Sequence, residues 1–115
     1  MIESKIRKVI LFKDYFSSFF EKQRNKVKDK ILWTLKIIES QQIISSEYFK
    51  HIEGTKGLYE IRVKSGNDIF RIFCFFDDNN IIVLGNGFQK KTQQTPKNEI
   101  AKALRIKLEY ELLYT

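Results

Sequence analysis

Leu58-Tyr-Glu-Ile-Arg-Val-Lys64, Ser65-Gly-Asn-Asp68 and Ile69-Phe-Arg-Ile-Phe-Cys-Phe-Phe76 read in succession as strand, turn and strand. In the first run Tyr59, Ile61 and Val63 fall on one face, with Leu58, Glu60, Arg62 and Lys64 on the other. That two-residue period is the mark of a half-buried strand. In the second run Ile69, Arg71, Phe73 and Phe75 share one face, and Phe70, Ile72, Cys74 and Phe76 the other. Gly and Asn between two such runs predict an antiparallel hairpin. Asp77-Asp-Asn-Asn80 is a further turn, and Ile81-Ile-Val-Leu84 opens a third strand, completing a meander.

Upstream, Val9-Ile-Leu-Phe12 between Lys8 and Lys13 predicts a short buried strand, with Asp14 as a candidate helix cap. Phe16, Phe19, Phe20, Val27, Ile31, Leu35 and Ile38 then recur at helical spacing. Residues 21–26 carry no apolar side chain, so a helical hairpin is expected to break there. Neither Gly nor Pro marks the break, and one long helix is the alternative. Residues 45–57, polar with two glycines, read as loop. Downstream, Thr95-Pro96 suits a helix start with Pro in the first helical position. Ile100, Leu104, Leu108 and Leu112 step by four, with Ala101, Ala103 and Ile106 beside them, and predict a packed final helix. The predicted fold is α+β: strand, helical hairpin, three-stranded antiparallel meander and C-terminal helix, one domain over residues 1–115.

Composition supports that reading. A length of 115 residues suits one domain. A hydrophobic share of 43% with ten Phe excludes a disordered tail. The single cysteine, Cys74, excludes an internal disulfide and points to a reducing, cytoplasmic setting. No stretch approaches the ~20 apolar residues of a membrane span, and no signal peptide is expected. The net charge of +7 suits a polyanionic partner. Its largest excess lies within residues 1–30, and a second cluster, Lys90, Lys91 and Lys97, sits among residues 86–98 without any acid.

One His and one Cys cannot assemble a zinc site from N and S donors, and no metal or cofactor is expected. Asp77 and Asp78 suit a turn, Cys74 a small buried hydrophobe and His51 a surface loop. Gly85-Asn-Gly87 is too short for a phosphate loop and reads as a bulge or close backbone approach. Arg62 and Arg71 remain, on neighbouring strands of one hairpin. Arg62 opposes Ile72 or Arg71 depending on register, and a one-residue slip would put the two arginines on opposite faces. Sharing a face, two guanidinium groups need a carboxylate or an anionic ligand. Glu60, two residues from Arg62, is the obvious internal partner. With Lys90, Lys91 and Thr92 after the third strand, these side chains suit cleavage of an RNA phosphodiester. Cations would stabilise the pentacoordinate phosphate, and a lysine of lowered pKa would serve as base for the 2′-hydroxyl.

Gly57-Leu-Tyr-Glu-Ile-Arg62, Ile69-Phe-Arg-Ile-Phe73 and Leu84-Gly-Asn-Gly-Phe-Gln-Lys-Lys-Thr-Gln-Gln-Thr-Pro96 together resemble the RelE/HigB-type toxin superfamily. The HigB-like, phage-derived branch is the nearest in pattern. The resemblance implies the toxin of a type II toxin–antitoxin pair, a metal-independent endoribonuclease that cuts mRNA on the ribosome and inhibits translation. It implies an antitoxin partner, in this group one with a helix-turn-helix DNA-binding domain. It casts Arg62 and Arg71 on the scissile phosphate, Lys90 and Lys91 on the backbone or in proton transfer, and Glu60 orienting Arg62 or joining the acid–base work. Lys64, Phe88, Thr92 and Lys97 are its candidates for further RNA contact. Some branches place a Tyr or His at the end of the last strand; this chain has Gly85-Asn-Gly87 there, so no motif names the general acid. Two other readings of the same fold are a ParE-like toxin that binds DNA gyrase and a non-catalytic RNA-binding domain.

Overall fold

The computed structural model describes residues 5–114. Its elements run β1 (Lys8–Leu11), α1 (Tyr15–Glu21), α2 (Asn25–Ser40), β2 (Phe49–His51), β3 (Tyr59–Ser65), β4 (Asp68–Asp78), β5 (Ile81–Lys90) and α3 (Lys97–Tyr114). The strands form one sheet in the order β1-β5-β4-β3-β2, with β1 parallel to β5 and the other pairs antiparallel. The architecture is α+β, as expected.

The β3–β4 hairpin sets the register on which the site depends. Ser65 pairs with Asp68, leaving Gly66 and Asn67 as a two-residue loop. Gly66 takes φ +62° while Asn67 stays out of the left-handed region. That is the type II′ pattern, whose twist matches the strands it joins. Counting back from this loop puts Arg62 opposite Arg71 and Glu60 opposite Phe73. Of the two registers open to the sequence, the structure adopts the one that puts both arginines on one face.

Helices cover both faces of the sheet. On one, Phe16 of α1 and Val27, Ile31 and Ile38 of α2 bury against Ile61, Val63, Phe70, Ile72, Cys74, Ile82 and Leu84. On the other, Ala103, Ile106 and Tyr110 of α3 bury against Leu58, Phe73, Phe75 and Val83. Each fully buried large side chain contributes about 1.5–3 kcal/mol relative to exposure. Residues 22–24 separate α1 from α2, so the helical hairpin forms, and the Gln23 side-chain amide donates to Phe19 O at 2.9 Å to satisfy one end of α1. A methyl group at Gly87 would fall within 2.6–2.8 Å of the Phe19 ring, so only glycine lets α1 lie this close to β5.

Four expectations are corrected. First, residues 45–57 are not all loop: Phe49–His51 pairs with residues 59–61, and the Phe49 and Tyr59 rings stack 5.0 Å apart. His51 therefore lies on an edge strand, donating from Nε2 to Thr55 O at 3.0 Å. Second, the packed face of α3 is Ala103, Ile106 and Tyr110, while Leu104, Leu108 and Leu112 face solvent. Third, α3 begins at Lys97, and Pro96 precedes it, its carbonyl accepting the Ile100 N–H at 3.3 Å. Fourth, Asp14 stands at the start of α1 without capping a backbone N–H; its carboxylate accepts from the Ser18 hydroxyl at 3.3 Å. Cys74 is fully buried, and burial pushes its thiol pKa far up, the behaviour of a core residue.

Candidate functional site

The face of the sheet that carries α3 is only partly covered by it, and the uncovered end holds the arginines. Cross-strand pairing arranges that face in rows. Lys64, Ile69 and Lys90 form the outermost, Arg62, Arg71 and Phe88 the next, and Glu60 with Phe73 the one beneath the helix. The β4–β5 pairing slips between Ile72 and Cys74, opposite Gly85 and Asn86, which is the bulge expected at those glycines. It turns Asn86 toward α3, where Nδ2 donates to Glu99 O and Oε1 at 3.4 and 3.3 Å and ties the helix start to the sheet.

Arg71 is buried, and its Nε lies 2.7 Å from Glu60 Oε2. The Nε–H is not aimed at that oxygen, so the contact is an ion pair without hydrogen-bond geometry. The other end of Arg71 donates from Nη1 to Phe70 O at 3.1 Å. Glu60 thus pairs across the strands with Arg71, and not with Arg62 along its own strand. Arg62 donates from Nη1 to Ser46 O at a long 3.3 Å, and its buried Nε has no hydrogen-bond partner. Among the described residues Arg62 has no carboxylate partner.

Two pKa values follow. Burial pushes the Arg71 guanidinium below its ordinary value, with Glu60 opposing and Arg62 adding to the fall. Burial likewise lowers Lys90, helped by the nearby positive charges of Arg71 and Arg62 and opposed by Glu60. A depressed lysine beside two arginines has a larger share of neutral amine, the form able to take a proton.

The other predicted residues fall around this centre. Lys64 is exposed beside Arg62 and lines the same cleft, about 580 Å³ in volume. Lys91 and Thr92 lie just past β5 and line a second depression with Ile69 and Lys90. The Thr92 hydroxyl donates to Gln94 O at 2.7 Å, shaping that loop. Phe88 stacks on Phe73 at 5.6 Å and packs against the cluster of Leu58, Phe73 and Ala103, a half-buried floor to the arginine row. Lys97 is exposed at the first residue of α3. The structure also brings in residues the sequence did not single out: Lys30 of α2 and Tyr48 line the cleft opposite Arg62 and Arg71. Among the described residues no cluster of His, Cys, Asp or Glu could hold a metal ion.

Residues 18–107 match the family described as phage derived protein Gp49-like. No curated protein matches significantly. Among solved structures, a chain of the archaeal RelE–RelB complex from Pyrococcus horikoshii superposes with a TM-score of 0.51 at 15% identity. The match covers 78% of this chain and 99% of that one, and shows a shared fold.

Proposed function

The chain belongs to the phage-derived Gp49-like family, a RelE/HigB-type toxin family, and has a RelE-like fold; from that premise we propose that it is a toxin which cleaves mRNA on the ribosome. The observation that supports cleavage is the arginine row: two guanidinium groups on one face with a single carboxylate between them. In the proposed reaction Lys90, as neutral amine, takes the proton of a ribose 2′-hydroxyl. The 2′-oxygen bonds to phosphorus, the bond to the 5′-oxygen breaks, and the leaving oxygen takes a proton from the ammonium of Lys91. Arg62 and Arg71 hold the non-bridging oxygens through the pentacoordinate stage, where negative charge is greatest. Glu60 keeps Arg71 extended along the sheet. No step draws on a metal or cofactor.

The structural neighbour comes from a complex of RelE with RelB, and a protein antitoxin, of the helix-turn-helix kind, is the proposed partner here. Among the described residues no helix is long and apolar enough to cross a membrane, and the proposed place of action is the cytoplasm, where ribosomes are. The test is induced expression without the antitoxin. Growth arrest with codon-positioned mRNA ends, mapped by primer extension, supports the reading. Intact mRNA with DNA-damage signalling would replace it by the gyrase-binding one.

A further inference from the structure

Strand β2 pairs only with residues 59–61, so the last part of β3 is an open sheet edge. The cleft at that edge is lined by Lys30 of α2, Glu47, Tyr48, Arg62, Lys64 and Arg71. A shallower depression continues it, lined by Lys26, Asp29, Lys30, Trp33 and Lys64. Lys30 and Lys64 border both, so the two form one track leading away from the arginine row.

Trp33 stands on this track without serving the core. The buried positions of α2 are Val27, Ile31, Thr34 and Ile38, and the indole is 45% exposed. Tyr48, from another segment, meets it edge-on at 5.7 Å and holds the ring plane, and Lys30 Nζ lies 4.1 Å from the ring centroid. A Lys30–Trp33 pair alone would be an ordinary neighbour contact on a helix. The buttress from Tyr48 and the approach of Lys64 from β3 make it more than that. A fixed, half-open aromatic flanked by Lys30 and Lys64, with Asp29 and Glu47 the acids on the same walls, fits one ligand chemistry well: a nucleobase stacked on the ring, with its phosphates on the lysines.

We propose that Trp33 and Tyr48, with Lys30 and Lys64, form a nucleotide subsite that stacks a base of single-stranded RNA flanking the phosphate held by Arg62 and Arg71. The direction of the strand rests on the cleavage reading; the stacking does not.

Trp33 is the only tryptophan of the chain, so its emission reports on the subsite directly. The wild-type protein is titrated with a fluorescein-labelled 2′-O-methyl RNA hexamer, which lacks the nucleophile and stays uncut. Binding is followed by anisotropy and stacking by tryptophan quenching. The expected result is saturable quenching that tracks binding, while inorganic polyphosphate competes with the hexamer yet leaves the emission unquenched. Trp33→Leu should weaken the hexamer about tenfold, within the range for one stacked base, and Trp33→Phe should restore most of it. Both variants are checked by thermal melting. Hexamer binding without quenching, equal quenching by polyphosphate, or unchanged affinity in Trp33→Leu would each overturn the proposal. If quenching occurs but cells show no mRNA cuts, the cleavage reading fails and the subsite stands.

Discussion

Arg62→Ala separates catalysis from scaffold better than the same change at Arg71. In the folded chain Arg62 has one long hydrogen bond, 3.3 Å to Ser46 O, and a buried Nε with no partner. A single hydrogen bond contributes about 0.5–1.5 kcal/mol net, and removing the unpaired Nε offsets part of that loss. The expected change is therefore under about 1 kcal/mol, a fall in melting temperature of roughly 4 °C for a domain of this length. Arg71→Ala instead strips Glu60 of its partner in a nearly buried ion pair, a loss of about 3–5 kcal/mol. The cost at the transition state is of another size. Removing one group aimed at a developing oxyanion costs on the order of 100- to 1000-fold in rate. The assay is cleavage of a reporter mRNA in a reconstituted translation reaction, read by primer extension, beside a melting curve of the same preparation. Cleavage within threefold of wild type would refute the catalytic role of Arg62. A fall in melting temperature beyond about 10 °C would refute the structural reasoning, showing that Arg62 holds the fold.

Three further outcomes follow from the same geometry. Cleavage should rise with pH through a value below the ordinary lysine range, because Lys90 acts as neutral amine and its pKa is lowered by burial and two arginines; Lys90→Arg, locked positive, should abolish the reaction in the reporter assay. Tyr110 donates to Asp77 Oδ2 at 2.7 Å, and burial with this bond pushes its pKa up to about 12. The folded state thus holds the proton longer than the unfolded one. Its contribution is complete below about pH 10, is lost on rising toward pH 12, and should vanish from the alkaline unfolding profile of Tyr110→Phe. In α3, Ile106→Ala should cost about 2–5 kcal/mol in denaturant unfolding, whereas Leu108→Ala, at a side chain 55% exposed, should stay within about 0.5 kcal/mol.

The meander and both helical segments were legible because each carries many residues of one period. The site was legible only as two possibilities, since the face shared by Arg62 and Arg71 depends on one loop. Gly66 in the left-handed region decides it, and Ser65-Gly-Asn-Asp68 allowed that loop without requiring it. Strand β2 escaped notice because three residues are too few to show alternation; its driving force is the stacking of Phe49 on Tyr59, a contact between segments. The leucines of α3 misled for a geometric reason. Steps of four advance 400°, so a run of such steps drifts round the helix by about 40° each time. Ala103, Ile106 and Tyr110, spaced three and four, stay on one side and take the core. Trp33 gave no signal at all, for its meaning comes from Tyr48 and Lys64, which the fold alone brings to it.

The pairing of Glu60 with Arg71 also tunes the site's charge to the proposed reaction. Arg62, Arg71 and Glu60 together carry one positive charge, beside that of the Lys91 ammonium at the leaving oxygen. When the 2′-hydroxyl proton passes to Lys90, the phosphate centre becomes a dianion and the site gains one positive charge in the same event. The balance therefore improves at the transition state and not in the ground state, which is the condition for raising rate instead of merely tightening binding. Burial of Arg71 on a sheet floored by Phe73 and Phe88 strengthens its interactions, since little water remains there to screen them. The lowering of the Lys90 pKa by burial and the two arginines enlarges the share of neutral amine, the form that can accept the 2′-hydroxyl proton.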